Sequence, residues 1–192
     1  MSYLGLDIGT SGCKAAVFEE DGSCTSRAYL DYRLISPQPG WAELDSNEVI
    51  AKCFEVIRRA VKNASADKVK AIAISSQGEA FTPVGKTGEF LGNAMISSDC
   101  RAKALIKDWE DQFGSDKLYR ITGHSSSAMF TLFKLIWLKE NRPDIWAESQ
   151  AFYCFEDLMH YRLGIVPAIG WPLAGRTMLF DINSHCWNDE IL

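Results

Sequence analysis

The first nineteen residues constrain the fold more than any other part of the chain. Two apolar runs, residues 3–8 and residues 13–18, flank a turn of small residues, Gly9-Thr10-Ser11-Gly12. Asp7 stands near the end of the first run, and Lys14 stands at the start of the second. Two apolar runs joined by a short glycine-containing turn are typical of a β-hairpin, so we expect the chain to begin with one.

The residue types of this turn are suited to phosphate. Its two glycines allow positive φ and close backbone approach, and successive N–H groups in such a turn form an anion-binding concavity. Its two hydroxyls are donors, the neighbouring lysine adds a charge, and an aspartate can hold Mg²⁺ through water. An ordinary hairpin would explain the glycines, but it explains less well an aspartate in a buried strand beside two hydroxyls and a lysine. We therefore predict phosphate binding at Gly9, Thr10, Ser11 and Lys14, with Asp7 at the metal.

Length and charge limit the classes of function. At 192 residues the chain is one domain or a large piece of a bigger one. Its net charge of −5 gives no electrostatic support for nucleic-acid binding. No apolar run is long enough to cross a bilayer, and the N-terminus lacks the basic and apolar regions of a signal peptide. These observations predict a cytoplasmic protein without a membrane or nucleic-acid partner.

The cysteines favour no metal or redox motif. Cys13 and Cys24, the closest pair among six cysteines, are eleven residues apart, so the chain contains no Cys-x-x-Cys. Zinc-ribbon and redox sites therefore lack their main signature, and reduced thiols are expected in the cytoplasm. The three histidines are equally scattered, and we expect His124 to be structural.

The remaining pattern alternates strands and helices. A capping pair, Asp45 and Glu48, opens an apolar repeat of helical period. Further helices are predicted at residues 105–113, 127–140 and 155–163, and the second of these is apolar almost all round, which predicts burial. Strands are predicted at residues 24–34, 69–74, 80–84, 93–97 and 152–154. This order indicates an α/β fold with a mixed sheet.

Two polar stretches are candidates for a substrate site. The strand at residues 69–74 leads into Gln77, Gly78 and Glu79. A glutamate can accept hydrogen bonds from two adjacent hydroxyls, and a glutamine can donate and accept. From the pattern alone, Glu79 is equally well explained as a solvated loop acid. Asp99, followed by Arg101, contacts ligand or caps the helix that begins near residue 105.

Four stretches in this order resemble the FGGY family of carbohydrate kinases: residues 7–14, residues 39–45, residues 74–79 with 98–102, and residues 176–181 with 187–192. The resemblance implies an actin-like ATPase, with a ribonuclease-H-like mixed sheet flanked by helices. It implies ATP and Mg²⁺ as cofactors, with Asp7 facing Mg-ATP. It also implies substrate binding by Gln77, Gly78 and Glu79, and adds Asp99 as a further substrate contact.

Two departures bear on the substrate. Glycerol kinases of the family have Arg-Glu where this chain has Gly78-Glu79, and an aromatic residue near the position of Met129. Both differences argue against glycerol and toward a sugar or sugar acid. Small residues after the glutamine resemble the pentulose-kinase branch, so we expect a pentulose such as xylulose.

The resemblance also sets an expectation about length. Family members are longer, with two actin-like domains around a cleft, so their general-base aspartate and adenosine pocket are expected beyond Leu192. We therefore predict no general base within residues 1–192, and expect these residues to be a truncated N-terminal domain. Its partners would be a sugar, ATP and the C-terminal domain. By itself it should be inactive, and uncovered apolar surface would favour a homodimer.

Two other functions fit parts of the pattern. An actin-like activator ATPase begins with a similar turn but holds an iron–sulfur cluster through cysteines, which visible absorbance would reveal. A nucleotide-binding scaffold or chaperone module would respond to ATP but to no sugar, and would not need the polar loop at residues 77–79.

Overall fold

The computed structural model describes residues 1–64 and 68–192. The strands are β1 (Ser2–Ile8), β2 (Gly12–Glu19), β3 (Cys24–Asp31), β4 (Glu43–Leu44), β5 (Val69–Ser76), β6 (Phe81–Gly85), β7 (Ala94–Met95), β8 (Ser149–Cys154), β9 (Phe180–Asp181) and β10 (Cys186–Trp187). The helices are α1 (Ser46–Asn63), α2 (Leu105–Phe113), α3 (Ser115–Thr122), α4 (Thr131–Asn141), α5 (Pro143–Glu148), α6 (Phe155–Arg162) and α7 (Trp171–Gly175). The α/β prediction is confirmed.

The first sheet carries the predicted hairpin. Its strand order is β3-β2-β1-β5, with β1 antiparallel to β2 and parallel to β5. Alternate residues of β1, including Leu4, Leu6 and Ile8, are buried in a core that α1 also enters. The register places Asp7 opposite Lys14 on β2 and opposite Ser75 on β5. The sheet therefore brings the turn after β1 and the loop after β5 to the same edge.

Helix α1 begins where its cap predicts. The Asp45 carboxylate accepts hydrogen bonds from the backbone N–H groups of Asn47 at 2.9 Å and Glu48 at 3.3 Å. The Glu48 carboxylate lies 2.7 Å from the Lys52 ammonium, so it forms a pair along the helix. Because α1 packs against the sheet through Val49, Cys53 and other apolar residues, it covers the buried face of the hairpin.

The second sheet is antiparallel and has the order β4-β7-β6-β8. Its core contains Phe81, Met95 and Leu138, so α4 packs against it. Helices α2, α3 and α4 enclose a third apolar cluster around Phe133 and Met178. Beside these helices, β9 and β10 form a separate antiparallel pair.

Some predicted boundaries were wrong. The helix expected at residues 127–140 begins at Thr131, because Phe130 is extended at φ −79° and ψ 151°. The strand expected at residues 93–97 is only Ala94–Met95. Helices α3, α5 and α7, of eight, six and five residues, were not predicted. No helix among the described residues is long and apolar enough to span a membrane.

Candidate active site

The turn between β1 and β2 is closed by a hydrogen bond from Gly9 N–H to the Gly12 carbonyl at 3.0 Å. Neither glycine has a positive φ, so that expectation was wrong. Close approach explains Gly12 instead. A Cβ there would lie 2.5 Å from the Tyr29 hydroxyl oxygen and 2.6 Å from the Leu30 carbonyl oxygen. The absence of a side chain therefore lets β3 pack against the turn.

Buried donors fix the backbone of this turn. The Gly9 carbonyl accepts from the Tyr32 hydroxyl and, at 3.1 Å, from Gln77 Nε2. Burial raises the pKa of Tyr32, so its hydroxyl is protonated and donates at neutral pH. The side chains of Thr10 and Ser11 are exposed and border a cavity of about 330 Å³. The turn thus has a fixed backbone and two hydroxyls directed at open space.

The charged pair beside the turn is open to solvent. Lys14 Nζ lies 3.4 Å from Asp7 Oδ2, and the two side chains are 65% and 49% exposed. An exposed ion pair contributes little to stability. Both charges are therefore accessible to a phosphate or a hydrated cation. No cluster of three or more metal-binding His, Cys, Asp or Glu side chains occurs in the described part of the chain.

Glu79 is a buried acid, not a solvated one. It is fully buried, and its φ of 45° lies in the left-handed region that non-glycine residues rarely adopt. Its carbonyl accepts from the Thr131 hydroxyl at 2.9 Å, and its Oε2 accepts from Arg176 Nε. Among residues 1–64 and 68–192, its Oε1 has no hydrogen-bond partner. An unsatisfied buried acceptor is rare and calls for an explanation.

Gln77 connects the loop of Glu79 to the turn at residues 9–12, which we term the phosphate turn after the ligand that its residue types predict. Its N–H donates to the Ile8 carbonyl at 2.7 Å, and its side-chain amide donates to Gly9. Its buried Oε1 is without a partner in the part of the chain that the structure describes. Gly78 lies under Arg176, because a Cβ there would come within 2.6 Å of Arg176 Nε. The structure thus brings the two predicted sites together, side by side.

Asp99 is a structural acid in this arrangement. Its Oδ1 accepts from Arg101 N–H at 3.0 Å and Nε at 2.9 Å, and its Oδ2 accepts from Ala42 N–H and Arg101 Nη2 at 2.7 Å each. These four bonds use the acceptor capacity of a carboxylate. The capping alternative was wrong, because Ala104 occupies the N-cap of α2 and no side chain caps that helix. For direct substrate contact, Asp99 offers no free acceptor here.

Arg101 completes the same cluster. Its guanidinium carbon lies 3.8 Å from the centre of the Trp41 ring and 4.9 Å from that of Trp137. Its Nη2 also pairs with Glu43 at 2.5 Å. Through these contacts, Asp99 and Arg101 connect helix α4 with the segment that precedes α1, next to the site.

Three residues of the site were not predicted from the pattern: Thr131, Arg176 and Lys134. Lys134 is fully buried, and its ammonium donates to the Ile96 carbonyl at 2.7 Å. Burial lowers its pKa to about 8. Of the three, only Arg176 could have been found from the sequence, since it lies in a stretch that carries the family resemblance. A lysine within an apolar helix does not by itself indicate a site.

The general base is expected beyond Leu192, and the structure ends at that residue, so the position of the base stays a prediction.

Leu192 itself is 72% exposed, and its N–H donates to the Asn188 carbonyl at 3.2 Å. It borders an apolar cavity of about 440 Å³ that Thr131 and Leu179 also line. This cavity is distinct from the one beside the phosphate turn, which Thr10 and Ser11 border.

Comparisons with known proteins identify the family. The family model described as the FGGY family of carbohydrate kinases, N-terminal domain, matches residues 2–192. The chain belongs to this family. It is 33% identical over 163 residues to the L-xylulose/3-keto-L-gulonate kinase of Escherichia coli, covering 84% of this chain and 33% of that enzyme. It is 32% identical to a glycerol kinase of Haloferax volcanii, covering all of this chain and 41% of that enzyme.

Solved structures of FGGY kinases share the fold. A gluconate kinase and a ligand-bound xylulose kinase, both from Lactobacillus acidophilus, each superpose with a TM-score of 0.94 at 25% identity. In both cases the match covers all of this chain and 39% of the solved one. The predicted ribonuclease-H-like, actin-like fold is confirmed. The chain spans about a third to two fifths of the length of the curated relatives above.

Proposed function

We propose that the protein to which these residues belong transfers the γ-phosphoryl group of ATP to a hydroxyl of a sugar, and that the sugar is a pentulose such as xylulose. The observation that carries the proposal is the Gln77–Gly9 hydrogen bond of 3.1 Å. It joins a turn suited to phosphate to a loop with a buried acceptor, so donor and acceptor substrates would meet at one edge of the sheet.

The residues present would act mainly by positioning charge. Catalysis of phosphoryl transfer is largely positioning and electrostatic stabilisation. Thr10, Ser11 and Lys14 would donate to phosphate oxygens, and Gln77 and Glu79 would orient the sugar. The sugar oxygen attacks the γ-phosphorus, the bond to the leaving ADP breaks, and a base takes the hydroxyl proton. The family resemblance assigns that base to an aspartate beyond Leu192, and assigns most of the adenosine pocket to a second domain that closes the cleft.

Asp7 fits a role at Mg²⁺. This ion keeps several waters and is usually held by one or two carboxylates together with substrate phosphates. Asp7 offers one half-exposed carboxylate beside the turn, which is a type of ligand that such an ion uses. When bound, Mg²⁺ would neutralise charge on the phosphates of ATP.

The choice of a pentulose rests on Gly78. A Cβ at position 78 would lie 2.6 Å from Arg176 Nε, so a larger side chain there, such as the arginine of glycerol kinases, would require Arg176 to leave its place beside Glu79. Relatives of both substrate classes are about equally similar to this chain, so the support comes from this position.

A substrate panel tests the proposal. The full-length protein is assayed with Mg-ATP against pentuloses, hexuloses, polyols and sugar acids, with ADP release and phosphosugar formation measured separately. We expect the highest kcat/KM with a pentulose. ATP hydrolysis without any phosphosugar would contradict the proposal and favour a nucleotide-binding scaffold, and a preference for glycerol would contradict the assignment of the sugar.

A further inference from the structure

Arg176 is a residue to which the resemblance assigns no role, yet it is the ionic partner of Glu79. Its Nε donates to Glu79 Oε2, and its guanidinium carbon lies 5.6 Å from the centre of the Phe130 ring. Gly78 lies against its other side. The side chain is thus confined by three neighbours, although it is 39% exposed.

The guanidinium retains unused donors. Among the described residues, Arg176 makes one hydrogen bond, which its Nε donates, and neither Nη nitrogen has a hydrogen-bond partner. Arg176 borders a cavity of about 310 Å³ at the carboxyl end of β5, together with Ser75, Ser76 and Glu156. Ser75 is the β5 residue paired with Asp7, so this cavity borders the pair of strands that carries Asp7.

We infer that Arg176 is a positioning and specificity-determining residue of the sugar site, holding the Glu79 carboxylate by Nε while its Nη groups donate to the carbonyl oxygen of a neutral ketose. This inference rests on the proposed function, because the ligand is the sugar. Glu79 only accepts and arginine only donates. The pair therefore suits a substrate with a hydroxyl that donates to Glu79 next to a carbonyl oxygen that accepts from Arg176, as in an α-hydroxy ketone.

The charges around the cavity favour a neutral sugar over a sugar acid. Glu156 lines the cavity together with Arg176 and accepts from Gly170 N–H at 3.4 Å. The Glu79 carboxylate pairs with the same guanidinium from outside the lining, so two carboxylates stand against one guanidinium. The pKa of His124 is lowered by burial and by the nearby Arg176, so this imidazole is neutral at pH 7. A carboxylate ligand would therefore meet net negative charge, whereas the carbonyl of a ketose would not.

The experiment measures sugar binding and turnover in the full-length protein. Arg176→Gln and Arg176→Lys are compared with wild type and with Arg58→Gln, a matched control on α1 whose exposed guanidinium lies 3.6 Å from the surface carboxylate of Glu55. Calorimetry gives the Kd of the sugar without ATP, kinetics give KM and kcat for both substrates, and thermal unfolding verifies the fold.

We expect Arg176→Gln to raise the Kd and KM of the ketose roughly 10- to 100-fold, as for loss of a charged hydrogen bond. The KM of ATP should change less than about twofold, and Arg176→Lys should recover part of the loss since it restores charge without the planar fork. Wild type should prefer the ketose to the matching sugar alcohol at least about tenfold, and Arg176→Gln should reduce that ratio, because only the carbonyl depends on the guanidinium.

Different outcomes separate this inference from the proposed function. A folded Arg176→Gln protein with unchanged sugar Kd, or a wild type that prefers a sugar acid to its ketose, would overturn the inference while leaving a sugar kinase in place. Sugar binding that depends on Arg176 without any phosphorylation would retain the inference and contradict the function. Absence of binding to every sugar would overturn both.

Discussion

The phosphate turn and the Glu79 loop lie side by side but are built in opposite ways. The turn is local: Lys14 follows Asp7 by seven positions, and both side chains remain about half or more exposed. The Glu79 site is assembled over long distances, because Arg176 is 97 residues away in the sequence and Glu79 itself has no exposure. The turn offers unused charges to solvent, whereas the loop offers one buried acceptor.

This difference predicts how each region responds to change. Exposed charges contribute little to the free energy of folding, so their removal should change activity rather than stability. A buried carboxylate that loses its partner, or an arginine that loses its carboxylate, affects folding as well. Variants at the turn should therefore separate activity from stability, and variants at the loop should not.

The largest effect follows from the openness of the turn. A polypeptide limited to residues 1–192 should show no detectable ATP-dependent phosphorylation of any sugar, since ATP would meet one wall of a cleft through exposed contacts. A coupled assay and light scattering test this, with the full-length protein as the control. A monomer of residues 1–192 that turns over a sugar would show that the base lies within these residues and that its expected place beyond Leu192 is wrong.

Asp7→Asn in the full-length protein tests the turn itself. Loss of one electrostatic group aligned with the reacting phosphates costs roughly 100-fold or more in kcat. The melting temperature should stay within about 2 °C of wild type, because surface substitutions change stability by less than about 0.5 kcal/mol. Glu19→Gln, at the far end of the same hairpin, is the control. Turnover near that of wild type would remove Asp7 from the site.

Glu79→Ala tests the buried region. We expect sugar affinity to fall about ten- to a hundredfold, as for the loss of a hydrogen bond to a charged acceptor, with ATP affinity unchanged. Stability should also fall, by roughly 1–3 kcal/mol, because Arg176 loses its carboxylate. Calorimetry with each ligand measures this, against Glu140→Ala on the exposed end of α4. Equal losses for sugar and ATP would count against the assignment.

Asp157 provides a third case to compare with Asp7 and Glu79, because it is a buried carboxylate without an ionic partner in the described residues. Burial raises its pKa to about 7 and leaves Oδ1 unpaired. Since the ordinary value is 3.8, the folded state binds the extra proton, and the stabilisation present below pH 3.8 is lost as pH rises through 7.

Asp157→Asn should therefore raise the free energy of unfolding by roughly 1–3 kcal/mol at pH 8, because the amide cannot ionise and no buried charge is left without a partner. At pH 5 the gain should shrink, because wild type is then protonated at this site. Denaturant unfolding at the two pH values measures the difference, and Asp111→Asn on the exposed face of α2 serves as control. A gain that is the same at both pH values would exclude titration of Asp157 as its cause.

The parts of the fold that could be predicted are those encoded by neighbours in the sequence. The first hairpin and the Asp45 cap of α1 were found because turn residues and periodicity act over a few positions. The role of Asp99 was not found, because its four hydrogen bonds include one to Ala42, 57 residues away. Helix α4 was located but its buried lysine was not understood, since only packing shows which carbonyl receives the ammonium.

The sequence by itself determined the α/β class, the hairpin at the start of the chain and, through ordered motifs, the family. Only the tertiary structure decided that Glu79 is a buried acceptor and that Arg176 both holds it and fills the space over Gly78. The physical reason is range. Turn chemistry and helical periodicity operate between adjacent residues, whereas burial and ionic pairing depend on which distant segments the packed sheets and helices bring into contact.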